Sequence, residues 1–428
     1  MHALSPIALP PAELAAKRKR ARNTLVAGVA LGSTGHIAAV TVGTIVAHEL
    51  IGTQALAGAP GATVVLGAAL GAVLLSALMA RRGRRVGLVS GYSIGVVGAF
   101  VATAAVLMRS FPLLLLGTML IGFGNASNSL SRYTAADMVK TDRRASAIGT
   151  VVWASTVGSV VGPTLVPIAG EIAIQAGLPP LAGPYLVPVV FVGLAAILSF
   201  IFLRPDPYEF ADEDAIALAV PGDTTTERVW SIMRRPGVFA AIIALVVSQT
   251  VMVLIMTMTP LHMTEHGHDL AAVGLVLSAH TFGMFALSPI SGRLTDRFGS
   301  VPVILAGSAL LGVAAVMAAV SPPEGGAMLF LALFLLGYGW NLGFVAGSAM
   351  LSRGLEIHER TRVQGVADAM IWSSAAAASL GSGFIMVVAG YTALGVLGAC
   401  AVLIPVVVLR SQRSAMQASA GPQPVPTP

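Results

Sequence analysis

Charge is scarce in this 428-residue chain: Asp, Glu, Lys and Arg together make up 10% of it. Soluble domains carry about 25%, so a water-soluble enzyme or binding module is excluded. Cysteine is nearly absent, and the single Cys400 rules out an intrachain disulfide and a paired-thiol redox centre. The sequence also has no Gly-x-x-x-x-Gly-Lys-Ser/Thr loop, which excludes direct coupling to ATP through such a phosphate cradle. What is present is apolar: 56% of the residues are hydrophobic and the mean hydropathy is +0.84. These values describe an integral membrane protein. The 47 glycines lie largely inside the apolar runs, as in Gly28/Gly32, Gly67/Gly71 and Gly91/Gly95. Spaced by four, they let helices approach closely.

The net charge of +6 does not point to nucleic acid, because of where the cations sit. Lys and Arg cluster at Lys17–Arg22, Arg81–Arg85, Lys140–Arg144, Arg204, Arg228–Arg235, Arg293/Arg297, Arg353–Arg362 and Arg410/Arg413. These clusters occupy every second gap between apolar segments; only Arg109 falls in an intervening gap. By the positive-inside rule both termini and all basic loops are expected in the cytoplasm, with the chain crossing the inner membrane repeatedly. The first apolar segment follows a basic run but is too long for a signal peptide and lacks a small-residue cleavage site, so it is expected to be retained.

A bilayer crossing needs about 20 apolar residues. Such segments lie near 24–47, 56–80, 86–108, 111–136, 145–169, 184–203, 238–261, 270–291, 301–320, 327–350, 363–388 and 391–409. The expected organisation is an all-α membrane fold. It comprises a cytoplasmic lead (1–23), a six-helix bundle (24–203), a polar linker (204–237) with the turn Pro221-Gly222-Asp223, a second six-helix bundle (238–410) and a disordered tail (411–428). The two halves repeat at an offset of 216 positions, which relates Gly83 to Gly299, Arg144 to Arg360 and Gly149 to Gly365. Paired bundles of this kind place a substrate site between them near mid-membrane.

Polar groups within the apolar segments are costly unless they face a cavity. On the fourth segment Thr118, Asn125, Ser129 and Arg132 advance by seven, four and three, and so share one stripe. Asp137 is the expected partner of Arg132, and Arg81 and Arg85 are the alternative partners of Asp137. His36, mid-way along the first segment, and Asp368, a turn inside the eleventh beside Trp372, are the titratable candidates for proton coupling. Asp368 could equally pair with Arg362. Gln249 and Asn341 are further cavity candidates. Asp296, at the foot of the eighth segment, is expected to face the N-terminus of a neighbouring helix, where the dipole favours an anion.

Residues 249–299 carry a second pattern. Met252 and Met256 are four apart on the seventh segment, and His280 and Met284 are four apart on the eighth, so each pair lies on one helix face. At about 1.5 Å per residue, Met252 and His280 lie at matching depths of roughly 15 Å below the outer ends. Thioether and imidazole together suit copper. His262, Glu265, His266, His268 and Asp269 lie just outside, as a capture site. The alternative is ordinary packing, since methionine fills apolar cores readily.

At this point the chain resembles the major facilitator superfamily over nearly its whole length. The loop pattern G-x-x-x-D-R-x-G is complete at Gly292, Asp296, Arg297 and Gly299, and its first-half copy is degraded to Ser76 and Ala80. Gly158, Gly162 and Pro163 look like the glycine–proline motif of the family's antiporters, although Val166-Pro167 replaces its terminal glycines. Thr118 stands where proton-coupled drug exporters carry an arginine. The methionine and histidine pairs look like the copper-importing branch, which carries MxxxM on its seventh helix and HxxxM on its eighth. The resemblance implies a secondary transporter working by alternating access in a monomer, with no cofactor. Its substrate would be copper, held by Met252, Met256, His280 and Met284. Members with similar motifs import riboflavin, so uptake of such a nutrient is the alternative, beside proton-coupled efflux of small organic molecules.

Overall fold

The computed structural model describes residues 10–52, 56, 58–210, 226–268, 270–322, 326–412 and 414. In lipid, backbone groups must be satisfied internally, and among the described residues the chain forms helices and no strands. In chain order the α-helices are α1 (Pro11–Ile51), α2 (Ala59–Arg82), α3 (Arg84–Leu107), α4 (Phe111–Asp137), α5 (Arg144–Trp153), α6 (Ser155–Gln175) and α7 (Gly183–Phe202). They continue with α8 (Thr226–Met233), α9 (Pro236–Met256), α10 (Thr259–Glu265), α11 (Leu270–Phe285), α12 (Ser288–Phe298), α13 (Ser300–Val320), α14 (Gly326–Arg353), α15 (Ile357–Ala401) and α16 (Leu403–Ser411).

Among the described residues, eleven stretches are long and apolar enough to cross a bilayer. The last of them, His358–Ser411, turns at Gly390, whose φ of 74° only glycine adopts freely, and it therefore makes two crossings. The expected break between 388 and 391 falls at that glycine. The lead is helical from Pro11 onward and continuous with the first crossing. Ala, Leu, Lys, Arg and Glu dominate 12–22 and all favour helix, Glu13 pairs with Lys17 at 2.9 Å one turn on, and a proline starts the helix, where it costs no hydrogen bond. The turn Pro221-Gly222-Asp223, Asp269 and nearly all of the tail lie outside the described residues.

Helices before residue 204 pack mainly on one another, as do those after 236. Gly83 (φ 92°, ψ 163°) and Gly299 (φ 87°, ψ 163°) end α2 and α12 in the same left-sided turn, so the repeat seen in sequence is repeated in backbone conformation. The two sets are joined at the end that carries the termini. There one apolar cluster draws on both, with Leu25, Val29, Leu75 and Val151 against Leu245, Val363, Ala367 and Ile371. Toward the opposite end the apolar clusters separate. One holds Ala39, Val42, Ala102 and Tyr185, the other Val251, Ile255, Leu329 and Leu394. The molecule is thus closed at the terminal end and split at the other.

Close approach within each set depends on glycine. A Cβ at Gly67 would lie 1.8 Å from the Met119 carbonyl oxygen, where α2 meets α4. Gly67→Val should force these helices apart and sharply lower the yield of monodisperse protein. Gly61→Val, with open space around it, should leave it unchanged, and equal yields would refute the packing argument.

Candidate functional site

The split encloses a cavity of about 870 Å³. Its two sides differ in chemistry. The first six crossings supply polar groups: Tyr92 donates from its hydroxyl to Asn128 Oδ1 at 3.0 Å, and Asn128 Nδ2 donates to Ser33 Oγ at 3.5 Å. His36, Asn125, Ser129 and Ser155 complete that side. The later crossings supply rings. Trp340 stacks on Phe344 at 4.6 Å and meets Phe285 edge-on at 5.9 Å, and Trp372 also faces the cavity. Trp340 Nε1 donates to Gln249 Oε1 at 2.8 Å, which satisfies the indole and fixes the amide.

Arg132 and Asp368 form the cavity's inner end. The guanidinium donates to Asp368 Oδ1 at 2.5 Å, to the Ser129 carbonyl at 2.6 Å, to the Tyr133 hydroxyl at 3.0 Å and to Ser348 Oγ at 3.2 Å. It also lies between the rings of Tyr133 and Phe344, 4.2 and 4.3 Å from their centroids. Ser129 and Tyr133 belong to α4, Ser348 and Phe344 to α14, and Asp368 to α15. A buried charge must be paired and hydrogen-bonded, and here the partners come from both sets of helices.

Beyond this pair the terminal end is held shut. Asp137 Oδ2 accepts from Arg84 at 2.6 Å, and its Oδ1 accepts from Arg360 at 3.4 Å. Arg84 also donates to Gln364 at 2.9 Å. On the other flank Asp296 accepts the backbone N–H of Ala145 at 3.1 Å and of Ser146 at 2.9 Å, in the first turn of α5, and pairs with Arg353 at 3.3 Å. The same aspartate therefore joins α12, α5 and α14. The start of the polar connection docks on the first set alone: Asp206 accepts from the N–H groups of Arg84, Arg85 and Tyr208, although burial pushes its carboxyl above the usual range.

Asp296→Asn keeps the size but loses the charge facing the α5 N-terminus and Arg353. We expect it to weaken closure at the terminal end by about 1–2 kcal/mol, the upper range for a partly buried charge–dipole contact. The measurement is thiol labelling of a cysteine placed at that end in a Cys400→Ser background, since Cys400 is exposed. An unchanged labelling rate in Asp296→Asn would remove Asp296 from closure.

Several expected residues are brought together and others are not. His36, Asn125, Ser129, Arg132, Gln249, Met252, Met256, Met284 and Asp368 all face the cavity. Thr118 does not; it is buried against α2, 2.7 Å from Thr63 Oγ1. Asn341 is also a correction, because it is fully buried between α11, α12 and α14, bonded to the Met284 carbonyl, Ser288 and Ser291. His280 breaks the expected metal quartet. It is buried, its Nδ1 lies 2.9 Å from the Leu333 carbonyl, and its own carbonyl fills the space left by Gly337 on α14. Residues four apart on a helix differ by about 40° in direction, enough to put Met284 on the cavity and His280 in the helix interface.

Partners change too: Asp137 takes Arg84 and Arg360 in place of Arg132, Arg81 or Arg85, and Asp368 takes Arg132 in place of Arg362. After the left-sided turn at Gly83, Arg84 points inward and Arg85 outward onto Phe200. At the split end, His262 on α10 stacks on Tyr391 at 4.1 Å and lies 4.4 Å from His266. Gly292, Gly158 and Gly162 serve close approach: a Cβ at Gly292 would meet the Ala145 carbonyl at 2.6 Å, and one at Gly158 would meet Ser33 at 2.4 Å. Pro163 follows inside α6, and Arg297 lies over Phe298 at 5.3 Å. Sequence reasoning missed Asn128, Tyr92, Trp340 and Phe344. A tryptophan among glycines, Gly337-Tyr-Gly339-Trp340-Asn-Leu-Gly343, was the signal available for the last two.

The model of the family described as Major Facilitator Superfamily matches residues 24–273 and 241–427. Among curated proteins, an "Uncharacterized MFS-type transporter YdeG" of Bacillus subtilis is 39% identical over 88% of this chain and 88% of its own. A "Riboflavin transporter RfnT" of Brucella anthropi is 30% identical over 86% of this chain and 90% of its own. Among solved structures the human organic anion transporter MFSD10 superposes with a TM-score of 0.71 at 17% identity, covering 94% of this chain and 100% of that one. At that identity the likeness concerns the fold alone.

Proposed function

The chain belongs to the Major Facilitator Superfamily, and from that premise we propose that this multi-pass secondary transporter takes up a small, flat organic nutrient of the riboflavin kind. The observation that carries the proposal is the two-sided cavity. A planar heteroaromatic ring can lay one face against Trp340 and Phe344 and turn its polar edge to Asn125, Asn128 and Gln249. A volume of about 870 Å³ suits a solute of that size. The riboflavin transporter among the relatives supports the same substrate class.

Transport then proceeds by rocking of the segments 24–203 and 238–410 about the cavity, in a monomer. With the basic loops in the cytoplasm, the cavity opens outward and the terminal latches close the inner side, which is the loading state of an importer. His36 and Asp368 are the cavity groups able to exchange a proton with that cycle. The test is uptake of labelled riboflavin by a riboflavin-requiring bacterium that lacks its own transporter and expresses this chain. Saturable uptake is expected; uptake no faster than in cells with an empty vector would end the proposal.

Copper import is the second reading, favoured by Met252, Met256 and Met284 on one cavity wall. Thioethers bind Cu(I), but without His280 the set is softer and more open. Cellular copper that rises with expression and falls in Met256→Leu, with no riboflavin uptake, would put copper first.

A further inference from the structure

A second cavity, of about 500 Å³, lies away from the central one, at the terminal end of the first six crossings. One wall is a stripe of α1 carrying Lys19, Arg20, Asn23 and Thr24, spaced so that they share a face. The other is Leu198 and Phe202, four apart on α7. Beside this groove α7 exposes a continuous apolar face, with Ile197 53% and Ile201 50% exposed. In a membrane protein such a face meets lipid tails.

More cations converge on the same helix end. Arg85 and Arg204 each place a guanidinium 4.7 Å from the centroid of the Phe200 ring. Arg85 Nε donates to the Phe200 carbonyl at 3.1 Å, and Arg20 donates to the Arg204 carbonyl. The dipole at a helix C-terminus accounts for one or two of these contacts. It does not account for Lys19 and Arg20, which come from α1 and line the groove, whereas Arg85 and Arg204 sit over Phe200 on another face of α7. The neighbouring carboxylate, Asp206, has its oxygens engaged by backbone N–H groups.

We infer that this groove binds the headgroup of an anionic phospholipid. Its phosphate sits between Lys19 and Arg20, and its acyl chains run down α7 past Ile197 and Ile201. A basic rim directly above a lipid-facing apolar wall fits an anion that carries tails, and fits a free anion poorly. The long helical lead then has a role: it carries Lys19 and Arg20 past the last membrane turn of α1 and holds them over α7.

The test uses full-length protein purified in detergent and offered an equal mixture of phosphatidylglycerol and phosphatidylcholine with identical chains. Native mass spectrometry then counts the retained lipid. Phosphatidylglycerol should be retained preferentially, by about fivefold for each cation engaged. Lys19→Gln with Arg20→Gln should lose most of that preference, whereas Arg410→Gln, a cation on α16, should keep it. Equal retention of both lipids by the unaltered protein overturns the inference without recourse to any variant. So does an equal loss in Arg410→Gln, which would mean nonspecific charge, or full displacement by millimolar inorganic phosphate, which would mean an anion site indifferent to tails.

Discussion

Replacing Arg132 with Ala should abolish uptake and lower thermal stability, and it should do so more severely than Asp368→Asn. The substitution strands the Asp368 carboxylate, 1% exposed, without a counter-charge. Breaking a buried pair in this way costs about 3–5 kcal/mol, on the order of a hundredfold or more in any equilibrium that depends on the pair. Asp368→Asn is milder, because the amide oxygen still accepts from Arg132 and the guanidinium keeps Ser348, Ser129 and Tyr133. The double substitution Arg132→Met with Asp368→Leu removes both charges, and apolar replacement of a buried pair is often neutral for stability. Melting temperature should therefore recover in the double variant while uptake stays impaired, since the contact that couples α4 to α15 is gone. Wild-type uptake and melting in Arg132→Ala would show that the pair is neither latch nor support.

The second large effect is expected at Trp340. Trp340→Ala removes the ring that stacks on Phe344 and meets Phe285, and it leaves the buried Gln249 without its donor. Loss of a buried tryptophan costs about 3–5 kcal/mol, and an aromatic partner lost to a stacked ligand adds about 0.5–1.5 kcal/mol. For riboflavin uptake the signature should be a KM raised by about two- to tenfold, on the basis of that stacking energy, with transporter still present in the membrane. Trp340→Phe keeps a ring but loses the hydrogen bond, so its KM should fall in between. If Trp340→Ala lowers the maximal rate and leaves KM untouched, the aromatic wall supports the cycle but does not hold the substrate. Met256→Leu is the matching control, because it nearly preserves volume and should spare riboflavin uptake.

How much of this could be read from the chain depended on the kind of interaction. Lipid imposes one-dimensional rules: about 20 apolar residues per crossing, with cations between alternate crossings. Those rules exposed the all-helical class and even the break now seen at Gly390, while the 216-position offset of the loop motifs exposed the repeat. Asp296 was legible for a similar reason, since a carboxylate at a helix foot has one kind of stable partner, the N-terminus of another helix.

Side-chain direction at helix contacts was another matter. The spacing His280-x-x-x-Met284 is identical whether the pair faces the cavity or a neighbour. Only the seating of α11 against Gly337 turned His280 into the interface and left Met284 on the cavity. The ion pairs were undetermined for the same reason. Arg132, Arg84 and Arg360 are equivalent cations in sequence, separated from Asp137 and Asp368 by intervals that carry no information across two bundles. The sequence alone therefore determined a twelve-crossing, two-fold repeated transporter, because the bilayer constrains each segment independently. Which charges meet, which rings line the cavity and which end is closed were decided by tertiary structure, because those outcomes depend on how twelve helices rotate and pack at once.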